Sequence, residues 1–338
     1  MVKRLYNKKS KDELVKNLGS EDFERITCSF YNYIPIDSPD EYRDYFYSYL
    51  NSLTILGRVY IASEGINAQI SVPVHNWKKF KDDINDIEGL KNIPIKKSLS
   101  GGVSFYKLVV KVKKEIVAYG LNHNSYDMKK VGKYLNPKEF NKALEENNTT
   151  VIDMRNFYET EVGRFKNAEI PQVEKSKDLL PEVRRMLEGR EDHQVLLYCT
   201  GGIRCEKASS FLIGSGVSNV KQLHGGIIQY AHEIREKGFE SKFIGKNFMF
   251  DARLGERITN DIIANCHICE RPSDTHRDCS NDACHILFIQ CKECEKELNG
   301  CCSEDCEHVA SLPLIEQKKL RKDPKRLIKR RYFRSPKN

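Results

Sequence analysis

A chain of 338 residues is too long for one ordinary domain, so we expect two or three domains. With 39% hydrophobic and 31% charged residues and no apolar run of the roughly 18 residues that cross a bilayer, the composition excludes global disorder and a membrane span. The net charge of +8 mildly favours an acidic partner such as nucleic acid, but residues 318–338 alone carry +10, which leaves −2 on residues 1–317.

The N-terminal part of the chain alternates strand and helix patterns. After a charged helical extension over residues 1–24, a strand begins near Ile26 and a helix begins at Pro39. Two strands around a turn, an amphipathic helix and a last strand at 108–117 follow. The β-α-β-β-α-β order predicts a ferredoxin-like domain over residues 25–120. Because the extension lacks the apolar region of a signal peptide, we expect a cytoplasmic protein.

The central part alternates strands and helices as a parallel α/β domain does. A polar linker over residues 121–144 precedes this domain, which is predicted over 145–240, and its most continuously apolar strand, HQVLLYC, ends at Cys199. The rest of the chain divides into a connector over 241–262, a cysteine-rich zinc module over 263–310 and a basic tail over 311–338. The predicted fold class is therefore a multidomain chain of α+β and α/β type.

Cys199 stands at the carboxyl end of that strand and begins a short loop that leads into a helix. Backbone N–H groups at a helix N-terminus stabilise a thiolate, Gly201 and Gly202 allow the loop to fold around an anion, and Arg204 adds a cation. The alternative for Cys199 is a small buried core residue. Three interpretations of Cys205 are open: a resolving thiol, a second reactive centre, or a core residue on the first helical turn.

Three segments together resemble the rhodanese family. They are VIDMRNFYETEVGRFKNAEIP at 151–171, YCTGGIRC at 198–205 and QLHGGI at 222–227. The resemblance implies that Cys199 carries a persulfide or acts as a nucleophile. Arg204 follows Cys199 by five positions, one fewer than in cysteine phosphatases, which disfavours phosphatase activity. The chain has Gly163-Arg164-Phe165 where the family has Gly-His-Ile, so a role for that histidine cannot be carried over.

A narrower resemblance covers residues 25–250. ASEGINAQISV (62–72) and YCTGGIRCEKAS (198–209) are similar to the rhodanese-like tRNA uridine hydroxylase family, and CHILFIQC (284–291) resembles the C-terminal extension of its longer members. The resemblance implies hydroxylation at C5 of the wobble uridine in the tRNA anticodon. Molecular oxygen would be the co-substrate, no organic cofactor is evident, and the product would be 5-hydroxyuridine.

The resemblance also implies that Cys199 is essential, and one hypothesis is that its thiolate adds to C6 of uracil and makes C5 nucleophilic. The expected catalytic residues are Cys199, Arg204 and Cys205, and the expected substrate-binding residues are Thr200, Gly201, Gly202 and Ile203. The alternative functions are a persulfide sulfurtransferase and a non-catalytic RNA-binding scaffold. The sequence does not indicate the oligomeric state.

Nine of the twelve cysteines fall in the cysteine-rich module. They are Cys266, Cys269, Cys279, Cys284, Cys291, Cys294, Cys301, Cys302 and Cys306. Closely spaced pairs are typical of structural zinc, and eight thiolates would form two sites and leave either Cys301 or Cys302 spare. Histidines that could replace a thiolate are His267, His276, His285 and His308. An iron–sulfur cluster or disulfides are the weaker alternatives. Metal would supply most of the folding free energy of so small an apolar core.

Two further features have a structural and a functional interpretation. The basic tail is either a solvated, partly disordered segment or a contact for RNA phosphates, with Tyr332 and Phe333 available for stacking. Glu64, Gly65, Asn67 and Gln69 either form a turn and a solvated strand face or contact nucleic acid or the active site.

Overall fold

The structure is a computed structural model that describes residues 5–7, 9–121, 125–173, 175–190 and 192–320. These residues form two compact units. The first unit holds the described residues up to Arg155, together with Asn167–Glu240 and Phe250–Arg253. The second unit holds Asn156–Lys166, Ser241–Met249 and the described residues from Leu254 onward. Residues 321–338, which include most of the predicted basic tail with Tyr332 and Phe333, lie outside the described residues.

The secondary structure is mixed. The helices are α1 (Lys11–Gly19), α2 (Pro39–Ser52), α3 (Trp77–Asp83), α4 (Pro137–Ala143), α5 (Phe157–Thr160), α6 (Ser176–Met186), α7 (Ile203–Gly214), α8 (Gly226–Lys237), α9 (Lys292–Glu297), α10 (Glu304–Ser311) and α11 (Leu314–Leu320). The strands are β1 (Arg25–Tyr33), β2 (Leu56–Ala62), β3 (Gly65–Pro73), β4 (Lys96–Lys97), β5 (Leu108–Val112), β6 (Lys133–Leu135), β7 (Thr149–Asp153), β8 (Gly163–Phe165), β9 (Gln194–Tyr198), β10 (Val220–Leu223), β11 (Phe243–Asn247), β12 (Glu256–Arg257), β13 (His276–Asp278) and β14 (Leu287–Ile289). Each described helix is too short or too polar to cross a membrane.

Five strands form the first sheet of the first unit, in the order β4-β1-β3-β2-β5. The central strand β3 pairs antiparallel with both β1 and β2. Because side chains alternate along a strand, one face of the sheet is apolar, and Phe30, Val59 and Ile70 are buried there in one core with Phe46 of α2 and Phe80 of α3. The predicted ferredoxin-like arrangement is confirmed.

The edge strands of this sheet depart from the predicted β-α-β-β-α-β order, which had no strand between the second helix and the last strand. The strand predicted to be last is β5, and it lies parallel to β2 at one edge. The place beside β1 is taken instead by β4, whose Lys96 and Lys97 pair antiparallel with Ser29 and Cys28. Two residues are too few to show a period-two pattern, so the sequence carried no signal for this strand.

Four parallel strands form the second sheet of the first unit, in the order β6-β10-β9-β7. Every residue of β9 is buried, as its continuous apolar run predicts. Val195 and Leu197 of β9 share a core with residues of α6 and α7, whereas Tyr198 packs edge-on against Phe140 of α4. Helices therefore cover both faces of the sheet, and the carboxyl end of β9 leads directly to Cys199.

The second unit contains a small antiparallel sheet, β12-β11-β8, and the hairpin β13–β14. Its strand β8 and helix α5 come from residues 156–166, inside the stretch predicted as the α/β domain. One of its apolar clusters consists of Val162, Ala264 and Ile289 alone. The cysteine-rich segment contributes two further buried clusters, and Phe248 packs edge-on against His276 of the hairpin.

Candidate active site and metal centres

Cys199 is fully buried at the junction between β9 and the loop that precedes α7. Gly202 adopts the left-handed conformation at φ 101° and occupies the N-cap of α7. Its backbone N–H donates a hydrogen bond to Sγ of Cys199 at 3.1 Å. The loop therefore turns a helix N-terminus onto the sulfur, as the sequence predicts, because glycine allows that backbone conformation.

The environment of Cys199 favours its thiolate. Burial by itself raises the pKa of the Cys199 thiol, but a hydrogen bond with the Cys205 thiol, the charge of Arg204 and the backbone N–H groups of Cys205 and Gly202 outweigh it and lower the pKa to about 5. Burial and the neighbouring Cys199 raise the pKa of Cys205 well above its ordinary value. At neutral pH, Cys199 is a thiolate that accepts a hydrogen bond from a protonated Cys205.

The glycine turn at the start of α8 packs directly against the backbone of the Cys199 loop. The backbone N–H groups of Ile227 and Ile228 donate to the carbonyl oxygens of Cys199 and Thr200 at 3.0 and 3.1 Å. A Cβ atom at Gly226 would lie 2.6 Å from the Cys199 carbonyl oxygen and 2.7 Å from that of Thr200. Gly226, the second glycine of the QLHGGI segment, is therefore needed for this close approach, so the segment helps to shape the Cys199 loop.

The other predicted loop residues are brought together around Cys199. Arg204 donates from Nη2 to the Thr200 hydroxyl at 3.2 Å, and its guanidinium carbon lies 5.8 Å from the Phe250 ring centroid. The carbonyl oxygen of Ile203 accepts a hydrogen bond from the Tyr33 hydroxyl at 3.1 Å. The roles of Thr200, Gly201, Gly202 and Ile203 in substrate binding, and of Arg204 and Cys205 in catalysis, remain predictions.

Sequence reasoning missed the side chains that the first sheet places on this loop. The Tyr31 hydroxyl donates to Oε1 of Glu206 at 2.6 Å, and the Lys96 ammonium donates to the carbonyl oxygen of Gly201 at 2.7 Å. The same ammonium lies 4.6 Å from the Tyr31 ring centroid. Burial lowers the pKa of Lys96, while Cys199 and Glu206 act in the opposite direction. No local pattern links positions that lie 105 residues apart, so only the fold could reveal this contact.

The two sequence segments that carry the narrower resemblance meet in a buried ion cluster. Lys207, fully buried on α7, donates to both carboxylate oxygens of Glu64 at 2.8 and 3.1 Å and to Glu115 at 3.2 Å. Glu64 also accepts hydrogen bonds from the Tyr126 hydroxyl and the backbone N–H of Ile116, both at 2.7 Å. Glu64 thus belongs to the structural connection between the two sheets of the first unit rather than to a solvated turn.

We expect Lys207→Met to lower the free energy of unfolding by about 3–5 kcal/mol, because two buried carboxylates would lose their cation. The matched control is Lys237→Met, which removes an exposed pair with Glu233 and costs about 1 kcal/mol or less. Urea denaturation followed by circular dichroism measures both. Equal effects of the two substitutions would contradict a structural role for Lys207.

Eight of the nine clustered cysteines form two quartets in the second unit. They are Cys266, Cys269, Cys291 and Cys294 in the first quartet, and Cys279, Cys284, Cys302 and Cys306 in the second. The quartets interleave in sequence, because each takes alternate cysteine pairs. The hairpin explains this pairing: Cys279 follows β13 at one end and Cys291 follows β14 at the other.

The sulfur positions match a tetrahedral metal site. A tetrahedron with metal–sulfur bonds of about 2.3 Å has edges of about 3.8 Å. The Sγ–Sγ distances are 3.6 Å between Cys269 and Cys291, 3.7 Å between Cys284 and Cys302, and 3.6 Å between Cys302 and Cys306. All twelve cysteines lie within the described residues and none forms a disulfide, so each quartet could hold one metal ion.

One thiol and the candidate histidines are not members of these quartets. Cys301 is fully buried but belongs to neither quartet, so the spare residue of the adjacent pair is Cys301 and not Cys302. Neither His276 nor the other histidines named above as possible ligands belong to a quartet in the described part of the chain. Arg271 donates from Nε to Sγ of Cys269 at 3.3 Å and lowers the pKa of that thiol to about 6, which favours the ligating thiolate.

Curated relatives match almost the whole chain. A tRNA uridine(34) hydroxylase from Leptospira interrogans is 46% identical over 330 residues, which cover 97% of this chain and 89% of that protein. This chain belongs to the tRNA uridine(34) hydroxylase family. The members from Enterobacter sp. (strain 638) and Photorhabdus laumondii are 46% and 44% identical, and they cover 94% and 93% of this chain and 91% and 90% of their own lengths. The family resemblance predicted from sequence is confirmed.

Family models match each part of the chain in turn. The UPF0176 acylphosphatase-like domain matches residues 25–116, the rhodanese-like domain matches residues 136–233, and the rhodanase C-terminal model matches residues 244–307. In this family member the rhodanese-like match contains Cys199 and its loop, and the C-terminal match contains both cysteine quartets.

Proposed function

We propose that this chain hydroxylates C5 of the uridine at position 34, in the anticodon of tRNA, and forms 5-hydroxyuridine. The observation that carries the proposal is the Cys199 thiolate, with its pKa of about 5, in a chain that is 46% identical to a tRNA uridine(34) hydroxylase over 97% of its length. Molecular oxygen supplies one oxygen atom to C5 and one to water. Two protons and two electrons from an external donor balance the reaction.

Cys199 is assigned the nucleophile's role. Its thiolate adds to C6 of uracil, which forms a C–S bond and shifts the electron pair of the C5–C6 double bond toward C5 and O4. C5 then has the electron density to bond with an electrophilic oxygen. Loss of the C5 proton and departure of the thiolate restore the C5–C6 double bond. A thiolate is the form that can make this attack, and a pKa of about 5 keeps it populated at neutral pH.

The loop around Cys199 is assigned the positioning of the uracil ring. Thr200, Gly201, Gly202 and Ile203 form the turn from Cys199 into α7, in which Gly202 donates its N–H to the sulfur, and Arg204 adds a cation where negative charge develops on O4. Because Cys199 has no exposed surface, the uracil ring reaches Sγ only when side chains over the loop move aside.

Zinc is the ion we assign to each cysteine quartet. Four thiolates are the ligand set that structural zinc prefers, and a closed site of four protein ligands leaves no open position for catalysis. When bound, zinc supplies cross-links between distant segments of the second unit. The predicted domains over 25–120, 145–240 and 263–310 and a cytoplasmic location belong to the same proposal, except that the second domain begins earlier, because β6 of its sheet lies inside the predicted linker.

Mass spectrometry of tRNA nucleosides tests the function directly. Cells that lack this protein lose 5-hydroxyuridine and the nucleosides made from it, and expression of the wild-type chain restores them. Unchanged nucleosides in the deleted cells would contradict the proposal and favour an RNA-binding scaffold. Loss of a thiolated nucleoside, with 5-hydroxyuridine retained, would instead favour persulfide transfer from Cys199.

A further inference from the structure

The first sheet has a second face, opposite α2 and α3, whose residues form cross-strand rows. The register aligns Tyr31 of β1 with Asn67 of β3, Asn67 with Tyr60 of β2, and Tyr60 with Lys111 of β5. Strands lie about 4.8 Å apart, so this row extends about 14 Å across the sheet. Its first residue, Tyr31, contacts the helix that follows the Cys199 loop through its hydrogen bond to Glu206. The row therefore leads from the candidate active site to the far edge of the sheet.

A neighbouring cross-strand row is also rich in polar and basic side chains. It aligns Lys96 of β4, Ser29, Gln69, Arg58 and Val109 of β5. Neither row contains Asp or Glu. Glu206 of α7 accepts from Tyr31 at the active-site end of these rows, and Glu64, in the turn between β2 and β3, pairs with Lys207. At the β2–β5 end, the rows therefore hold Arg58 and Lys111 with no acidic residue aligned beside either in the register.

The cations at the far edge are accessible. Arg58, Lys111 and Lys113 are exposed, and neither Arg58 nor Lys111 has an ion-pair partner among the residues that the structure describes. The Lys113 ammonium lies 5.3 Å from the ring centroid of Tyr60, which is half-buried. A tyrosine flanked by free cations on an open sheet matches single-stranded RNA, which needs aromatic surface for its bases and cations for its phosphates.

We propose that this row of Tyr31, Asn67, Tyr60 and Lys111, together with Arg58 and Lys113, binds the RNA strand that flanks the modified uridine. The inference rests on the proposed function for the identity of the RNA. Tyr60 stacks on a neighbouring base, and Arg58 and Lys111 contact phosphates. The row fixes the direction in which the RNA strand leaves Cys199, across the sheet from β1 toward β5. The body of the protein, with its net charge of −2 on residues 1–317, thereby has a local cationic surface for RNA.

Binding of the purified full-length chain to an unmodified tRNA transcript, followed by fluorescence anisotropy at several salt concentrations, tests the surface. Arg58→Ala with Lys111→Ala is expected to bind about tenfold more weakly or worse, and to reduce the slope of log affinity against log salt by about 1.4, or about 0.7 for each lost contact. Tyr60→Ala is expected to bind about 5- to 150-fold more weakly, whereas Tyr60→Phe keeps the ring and binds as the wild type does.

The matched control is Lys78→Ala with Lys79→Ala, which removes two exposed cations from α3 on the opposite face of the sheet. If the control weakens binding as much as the Arg58 and Lys111 pair does, or if that pair leaves affinity and salt slope unchanged, the surface is wrongly assigned. Formation of 5-hydroxyuridine by the wild type is measured on the same tRNA. A wild type that binds but makes no product would contradict the proposed function, while the comparison of variants still decides the surface.

Discussion

Cys199→Ser is expected to lower the formation of 5-hydroxyuridine at least about 10³-fold. A serine hydroxyl stays protonated in a loop that ionises a thiol at a pKa of about 5, so the nucleophile is lost while the shape of the loop is kept. The measurement is the amount of 5-hydroxyuridine in tRNA from deleted cells that express the variant, with the level of the folded protein checked. Activity within about tenfold of the wild type would contradict a nucleophilic Cys199.

A trapping experiment separates covalent catalysis from a merely electrostatic role of Cys199. With tRNA that carries 5-fluorouridine, the wild type is expected to form a covalent adduct through Cys199, because fluorine at C5 cannot leave as a proton does. Adduct formation should fall as pH drops through about 5, where the thiolate is protonated. The Cys199→Ser chain forms no adduct. An active wild type that gives no adduct would contradict addition to C6.

Cys205→Ser is the matched control for both measurements. Cys205 is protonated and donates to the Cys199 thiolate, and a serine hydroxyl can donate in the same place. If Cys205 serves only to support the thiolate, this variant keeps most of its activity. If Cys205 is the resolving thiol, this variant accumulates an unresolved product on Cys199 that mass spectrometry of the peptide detects.

The Cys199 loop could be predicted from sequence because its signals are local. An apolar strand ends just before Cys199, and the six residues 199–204 contain two glycines and an arginine. This pattern predicts a turn that places the thiol at a helix N-terminus. The surroundings of that loop could not be predicted, because Tyr31 of β1 and Lys96 of the two-residue strand β4 lie more than 100 residues from it in the chain. Glu64 shows the same limit. Its place in a turn was consistent with a solvated side chain or with a contact to nucleic acid or the active site, and only the fold shows that it pairs with Lys207.

The cysteine spacing predicted two metal sites but not their pairing. Sequential and interleaved quartets use the same closely spaced pairs, and the hairpin β13–β14 decides between them because it carries the second and third pairs to opposite ends. The same geometry decides which of two adjacent thiols is spare. Sγ of Cys302 lies 3.7 Å from that of Cys284, whereas the neighbouring Cys301 belongs to neither quartet.

Removal of metal is expected to unfold the cysteine-rich segment. Structural zinc sites contribute about 10–16 kcal/mol of apparent binding free energy, which is as large as the whole stability of an ordinary domain. A chelator should therefore remove about two zinc ions per chain and abolish the amide protection of β13, β14 and α9 against hydrogen exchange. Protection that survives complete removal of metal would contradict this role.

Metal counting in paired variants tests the interleaved arrangement itself. Cys266→Ala with Cys291→Ala damages one quartet and is expected to leave about one zinc ion per chain, whereas Cys266→Ala with Cys279→Ala damages both and leaves none. Sequential pairing requires the reverse result. Adjacent single variants complete the test: Cys302→Ala should lose about one ion, and Cys301→Ala should keep about two. The outcome depends only on which sulfurs share an ion, so it decides the pairing whether or not the variants are active.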